Sequence, residues 1–148
     1  MRYIKAFNSD ERGSTLVEYS IAALVFVTAM FAVMEFGRAL WVHNALTDAA
    51  RRGARYAVLN TANQTAQVKN VVVYGNPAGG TKTIVPNLTT DNVTVTYSDL
   101  AVNKGSATVS IDNYKFQFVI PIVGTEITMP HYTTSLTGES AGFIPVNK

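Results

Sequence analysis

A single carboxylate stands inside the long apolar run near the N-terminus of this chain. The run covers residues 13–34, and Glu18 is its one charged residue. An acid inside a bilayer-length helix costs about 2.5–3.5 kcal/mol on insertion scales, so such residues usually have a function. Gly13 comes immediately before Ser14, and a cut between them would make Glu18 the fifth residue of the new chain. The new chain would begin with the apolar helix.

The chemistry of Glu18 has two interpretations. After a cut, the new α-amino group of Ser14 would be a cation at the membrane interface, and Glu18 of one chain could neutralise Ser14 of a neighbouring chain. The cost of the lone acid in lipid would then favour assembly of several helices. Alternatively, Glu18 lies only about one turn inside the apolar boundary and extends to the lipid headgroups.

The element that carries this acid has the length of a membrane span. Residues 14–34 form 21 positions, which as a helix cover about 31 Å, close to a hydrocarbon core of about 30 Å. No small-residue A-x-A site follows the run, so a conventional cleaved signal peptide is disfavoured. Because no proline occurs between Ser14 and Leu59, we expect one continuous helix of about 45 residues.

The second half of the helix has the pattern of a packed element. Small or apolar residues recur at three- and four-residue spacing, which predicts a narrow stripe for close packing. These are Leu46, Ala49, Ala50, Gly53 and Ala57. Trp41 and Tyr56 are aromatic residues that could lie at the membrane interface.

Three arginines form a basic cluster just beyond the membrane half of the helix: Arg51, Arg52 and Arg55. Asp48 and Arg52 have the i,i+4 spacing of an ion pair within a helix. The cluster is either a solvated helix face or a contact surface for anionic lipid headgroups or an acidic neighbouring subunit.

After Leu59 the composition becomes polar and rich in β-branched residues. Alternation with a period of two predicts antiparallel strands separated by short turns. The predicted strands are residues 68–74, 93–97, 106–111, 114–123 (ended by Pro121) and 125–137 (broken at Pro130), with a glycine-rich hairpin loop at 75–83. The expected fold class is α+β and pilin-like, with a long N-terminal helix packed on a small antiparallel β-sheet head.

No catalytic, metal or cofactor site is predicted. The chain has no cysteine, lacks G-x-S-x-G, and carries a net charge of only +2, too weak to suggest nucleic-acid binding. The loop from Gly75 to Lys82 nearly fits a phosphate-binding motif, but its lysine is one position late and no helix follows. His43 and His131 have no second ligand at helical spacing. We therefore expect neither an enzyme nor a binder of small-molecule substrates.

Two stretches of the chain carry a family resemblance. Residues 13–19, GSTLVEY, resemble the processing site of type IV prepilins, and the Glu18-Tyr19 pair has the form seen in the Flp/Tad subclass. Residues 35–41, EFGRALW, and 44–57, NALTDAARRGARYA, are similar to the TadE-like family of minor pseudopilins. The head resembles that family only loosely.

The resemblance implies a processed inner-membrane subunit. The expected divisions are a prepilin-type leader at 1–13, a transmembrane helix at 14–36, the soluble half of that helix at 37–60, and a β-rich head at 61–148. Gly13 and Ser14 would flank the bond cut by a prepilin peptidase, and Glu18 and Tyr19 would serve assembly. The implied partners are other pilin or pseudopilin subunits, the inner-membrane pilus platform and membrane lipid.

The resemblance also implies a location and a process. The N-terminus would be cytoplasmic and the head periplasmic or extracellular, in a Tad/Flp-type pilus or a related secretion machine that can serve cell adhesion. The alternative interpretation is a membrane-anchored binding module or adhesin whose signal anchor is not cleaved.

Overall fold

A computed structural model describes residues 11–60, 62–98, 105–119 and 125–138. The first element, helix α1, covers Glu11–Leu59 without interruption, as the absence of proline predicts. The chain divides into two compact units, Met1–Gly37 and Arg38–Lys148. Residues 1–10 of the predicted leader lie outside the described residues.

The apolar segment of the first unit is long and apolar enough to cross a membrane, and none of it is buried. Large apolar side chains are exposed along its whole length and on all sides, among them Leu16, Leu24, Phe26, Val33 and Met34. An apolar surface of this extent is not stable in water, and a lipid environment is the solvent that suits it. The segment therefore has the properties of a single membrane anchor.

In the second unit, the remainder of α1 packs against the head through small side chains. Leu46, Ala49 and Ala57 are fully buried, and Ala50 and Gly53 are buried beside them. The predicted stripe is confirmed, and Val42 and Ala54 extend it. Because alanine and glycine project little from the helix, neighbouring elements can approach its backbone closely.

Residues 68–74 are not the predicted strand but belong to a second helix. Helix α2 covers Thr65–Tyr74 and ends at Gly75, which adopts the left-handed conformation with φ 74° and donates its N–H to Val71 O at 3.0 Å. The run of three valines favours a strand by propensity, but Val68, Val71 and Val72 also have i,i+3,i+4 spacing and are buried together. Burial against the core therefore outweighs the β-propensity of valine.

Three strands form the main antiparallel sheet. These are β1 at Val93–Ser98, β2 at Ser106–Ile111 and β5 at Tyr132–Thr137, in the order β1-β2-β5. The alternating patterns predicted both β1 and β2, and β2 has the predicted bounds. Inward residues such as Val109 and Ile111 are fully buried against the helices.

The outward face of this sheet consists of serine and threonine alone, in three rows of three. The rows are Thr94, Ser110 and Thr133; Thr96, Thr108 and Ser135; and Ser98, Ser106 and Thr137. Each row contains a cross-strand hydroxyl–hydroxyl hydrogen bond of 2.6 to 3.1 Å. Such hydroxyl pairs stabilise a solvent-exposed face of a sheet without adding apolar surface.

A separate two-stranded ribbon joins β3 at Lys115–Gln117 to β4 at Glu126–Thr128. The strand predicted at 114–123 is shorter, because only residues 115–117 pair as a strand; residues 120–123 lie outside the described residues. The predicted break at Pro130 is confirmed, since β4 and β5 lie on either side of it. Proline lacks the N–H that a continuous ladder needs.

The core lies between the helices, the main sheet and the ribbon. Its largest fully buried side chain is Phe116 of β3. Val85 and Leu88, from the segment between α2 and β1, belong to the same buried cluster. Tyr114 donates its hydroxyl to Pro86 O at 2.7 Å. The α+β fold class with a helix and a small antiparallel head is confirmed.

Candidate functional site

The candidate cleavage bond lies within α1, near the beginning of the described residues. Gly13 and Ser14 are both helical and exposed. A β-carbon on residue 13 would meet no heavy atom within 4 Å, so packing within the described residues does not require a glycine there. Gly53 is the opposite case, since a β-carbon there would overlap Val72.

Glu18 lies one helical turn after Ser14, on the same face of α1, because residues four apart are neighbours on a helix surface. Its side chain is exposed, as are those of Val17 and Tyr19, and Tyr19 is 73% exposed. Ser20 satisfies its hydroxyl by donating to Leu16 O at 2.8 Å. Glu18 is therefore the one acidic side chain on an otherwise apolar and hydroxyl-bearing surface of this segment.

The three arginines of the cluster have different surroundings in the structure. Arg52 pairs with Asp48 at 3.4 Å, which is the predicted i,i+4 ion pair. Both partners are well exposed, so the pair contributes only about 0.3–0.5 kcal/mol. Arg51 and Arg55 are exposed on the helix surface. Among the described residues, Arg52 is thus the member of the cluster whose charge is paired with a carboxylate.

The glycine-rich loop after α2 is not a hairpin, because it follows a helix rather than a strand. Its chain is held by local bonds: Asn76 accepts from Ala78 N–H through its side chain at 3.0 Å, and Asn70 donates to Pro77 O at 3.1 Å. The next helical residues among those described are the 3-10 turn Thr90–Asn92. The loop therefore has no helix N-terminus directly after it to bind a phosphate group.

The two histidines have structural partners that the sequence did not reveal. His43 Nδ1 and the Tyr132 hydroxyl share a 2.8 Å hydrogen bond, and their rings meet edge to face at 5.2 Å. His131 contacts Asp112 through Nδ1 and Thr133 through Nε2. The described residues contain no group of three or more metal-ligating His, Cys, Asp or Glu side chains.

Burial raises the pKa of three tyrosines in the head above the ordinary value of about 10. These are Tyr97, Tyr114 and Tyr132. Desolvation is the main cause for each; a hydrogen bond from Thr65 opposes it at Tyr97, and the charge of Arg38 opposes it at Tyr114. The three tyrosines are therefore neutral at neutral pH. Their side chains pack in or against the core and are not suited to acid–base chemistry at that pH.

Arg38 is a structural residue that sequence reasoning missed. Its guanidinium lies 4.2 Å from the centroid of the Phe116 ring and donates a hydrogen bond to Gln117 O. Arginine stacks well on aromatic faces because its cation is planar and weakly hydrated. Arg38 thus connects the first helical turn of the second unit to strand β3.

Residues 13–55 match the family model described as TadE-like protein. No curated protein and no solved structure matches the chain. The matched segment covers less than a third of the chain, but it contains Gly13, Ser14, Glu18, Tyr19 and the arginine cluster. The match confirms the resemblance found in the sequence: residues 13–55 are similar to the TadE-like family.

Proposed function

We propose that the chain is a TadE-like minor pseudopilin that serves assembly of a Tad/Flp-type pilus or a related secretion machine. The observation that carries the proposal is the family match over residues 13–55, which includes the proposed cleavage-site residues, the apolar segment and the packed half of α1. The head is an α+β unit with its own core, so the chain differs from a bare membrane helix.

Processing by a prepilin peptidase between Gly13 and Ser14 is the first part of the proposal. Gly13 and Ser14 are both exposed on α1, which supports access of a peptidase to the bond between them. The glycine has no packing role among the described residues. Because glycine has no side chain, it would instead help the peptidase to recognise the site and the helix to unwind at the bond that is cut.

Glu18 is the proposed assembly residue, with Tyr19 beside it. Removal of the leader would place a new amino group at Ser14, and the Glu18 carboxylate of a neighbouring subunit would neutralise it. Since each charge is costly alone in lipid, pairing between subunits lowers the free energy of the bundle. The exposed apolar side chains around Glu18 would supply the packing surface.

The proposed division of the chain follows from this role. Residues 1–13 would be the leader, 14–36 the transmembrane helix, 37–60 the soluble half of the helix, and 61–148 the head. We place the protein in the bacterial inner membrane with its N-terminus cytoplasmic and its head periplasmic or extracellular. The head includes helix α2 as well as the two sheets.

The proposed partners are the prepilin peptidase, other pilin or pseudopilin subunits, the pilus platform and membrane lipid. Arg51 and Arg55, which are exposed, are suited to an acidic neighbouring subunit or to anionic headgroups. Arg52 contributes less because Asp48 already pairs with it. The chain would act as a structural subunit rather than as an enzyme.

Co-purification from membranes tests the assembly role. Glu18→Ala should still insert in the membrane but lose the pilus components that co-purify with the unchanged chain. Ser20→Ala is the matched control, because Ser20 is a nearby exposed polar residue whose hydroxyl donates to Leu16 O within its own helix. If Glu18→Ala retains its partners as fully as Ser20→Ala does, the charge-pairing role of Glu18 is wrong.

A further inference from the structure

A histidine and a carboxylate extend the hydroxyl-bearing face of the main sheet at one end. On this face, Ser110 of β2 is paired with Thr133 of β5. Asp112 lies two positions after Ser110 and His131 two positions before Thr133, so the period of two places both on the same face. Asp112 Oδ1 contacts His131 Nδ1, and His131 Nε2 contacts Thr133 Oγ1. We call these four residues the hydroxyl–histidine cluster.

The hydrogen bonds of the hydroxyl–histidine cluster have a direction. An ionised carboxylate can only accept a hydrogen bond, so the contact with Asp112 places a proton on His131 Nδ1. In a neutral imidazole, Nε2 then carries the lone pair and accepts the hydroxyl proton of Thr133. Because Thr133 has only one proton to donate, Ser110 is the donor in the 3.1 Å bond between the two hydroxyls. The Thr133 oxygen is thus bonded to a base through its own proton and to a second hydroxyl that donates to it.

Asn92 holds the backbone of Asp112 in place. Asp112 N–H donates to Asn92 O at 2.8 Å, and Asn92 Nδ2 donates to Asp112 O at 3.0 Å. Asn92 is itself fixed, because its Oδ1 accepts from Thr89 N–H at 3.1 Å. The Asp112 carboxylate therefore extends from a backbone of defined position, which favours a single orientation of the His131 ring. The side chains of His131 and Thr133 are exposed, so a reagent in solution can reach them.

We propose that Thr133 is a nucleophilic hydroxyl, which His131 activates as a general base, and that it accepts one acyl group from an activated ester or thioester. A hydroxyl bonded to a base that a third group orients is the arrangement that activates nucleophiles in acyl transfer. In this step Thr133 Oγ1 forms a bond to the acyl carbon while its proton moves to His131 Nε2. The bond from the acyl carbon to the leaving oxygen or sulfur then breaks, and the leaving atom takes the proton from Nε2. The products are an ester on Thr133 and a free alcohol or thiol.

The proposed site is a modification site, because the acyl group stays on the chain itself. It lies within the unit Arg38–Lys148 and is separate from the proposed cleavage and assembly residues. Thr133 and His131 exchange the proton of the reaction. Asp112 is a positioning residue, since it acts through the orientation and tautomer of His131.

Acetylation by p-nitrophenyl acetate tests the proposal in the full chain in detergent. Mass spectrometry of peptides measures the rate at each hydroxyl, and hydroxylamine, which removes esters, separates these products from amides on lysine. Ser135 is the matched control within the same chain, because it is an exposed hydroxyl on the same face of β5. Its hydrogen bond is to the Thr108 hydroxyl at 2.9 Å rather than to an imidazole. As a primary alcohol, Ser135 is also less hindered than Thr133.

Thr133 should be acetylated at least about tenfold faster than Ser135. General-base catalysis contributes about 10²–10⁴-fold, which exceeds the disadvantage of a more hindered hydroxyl. His131→Gln keeps a hydrogen-bond acceptor at position 131 but has no basic nitrogen, so it should abolish this preference and leave the rate at Ser135 unchanged. Asp112→Asn should lower the rate at Thr133 severalfold, again without an effect at Ser135.

Two results would overturn the proposal. If Thr133 reacts no faster than Ser135 in the unchanged protein, the hydroxyl–histidine cluster only stabilises the end of the sheet. This comparison is made within one folded chain and does not depend on whether a variant folds. If Thr133 keeps its preference in His131→Gln, the imidazole is not the base.

Discussion

Gly53 of helix α1 lies so close to Val72 of helix α2 that a β-carbon on residue 53 would overlap Val72 Cγ2. The same β-carbon would lie 3.3 Å from Val109 Cγ1 in strand β2. Val72 and Val109 are both fully buried, and valine has little rotamer freedom, so neither side chain can move away at low cost. Glycine at this position therefore determines how closely three elements of the head pack.

Gly53→Ala should destabilise the head. Overpacking of a rigid core costs about 1–3 kcal/mol, while alanine gains about 1 kcal/mol of helix propensity over glycine, so we expect a net loss of about 1 kcal/mol. Urea unfolding in detergent, followed by circular dichroism, measures the change. Gly37→Ala is the control, because a β-carbon there meets no atom within 4 Å.

A double substitution separates overlap from other effects. If overlap with Val72 is the cause, Gly53→Ala and Val72→Ala together should cost less than the sum of the two single changes, by at least about 0.5 kcal/mol. Additive losses would show that the overlap does not determine the effect.

Alkaline pH should destabilise the head through its buried tyrosines. Because burial raises the pKa of Tyr114 and Tyr132 in the folded state, the unfolded chain loses these protons first. The free energy of unfolding should be insensitive to these tyrosines below pH of about 10 and should fall as pH rises above that value. Urea unfolding at a series of pH values gives the slope.

Tyr114→Phe tests the assignment of that slope. It removes the hydroxyl that donates to Pro86 O, at a cost of about 0.5–1.5 kcal/mol at neutral pH, and should make the alkaline decrease shallower. Tyr74→Phe serves as a comparison, since Tyr74 is only partly buried at the edge of the core. If the free energy of unfolding of Tyr114→Phe falls as steeply with pH as that of the unchanged protein, the buried hydroxyl of Tyr114 is not a cause of the alkaline destabilisation.

Arg38→Ala should loosen the β3–β4 ribbon. The change removes the stack on Phe116 and the hydrogen bond to Gln117 O, and a stack of this kind contributes about 0.5–2 kcal/mol. Hydrogen exchange should become faster at Phe118 N–H, which bonds to Thr125 O. Arg55→Ala, at an exposed position, should leave that exchange rate unchanged; equal effects of the two changes would show that the stack does not stabilise the ribbon.

The sequence predicted those elements of the fold in which buried residues recur at a fixed spacing. The small-residue stripe around Ala49 and Ala57 and the alternation in β1 and β2 specify which face is buried, because a helix or strand presents one side to the core. The valines of α2 were misassigned because β-branched residues favour strands, whereas their burial in the core is a tertiary effect.

Long-range partners could not be predicted in this way. Arg38 and Phe116 are 78 positions apart, and His43 and Tyr132 are 89 positions apart, so neither contact leaves a periodic signal in the sequence. Gly13 and Glu18 were identified by their spacing around an apolar run, but their proposed roles depend on a peptidase and on neighbouring subunits.

The most direct test of the account is the intact mass of the protein extracted from membranes that contain the prepilin peptidase. The account predicts a chain that starts at Ser14, trimmed in the unchanged protein and in Gly37→Ala but not in Gly13→Ala. Both glycines are helical, exposed and free of packing contacts, so they differ chiefly in their position relative to the cut. A chain that keeps residues 1–13 and still assembles normally would contradict the account and would favour an uncleaved membrane anchor.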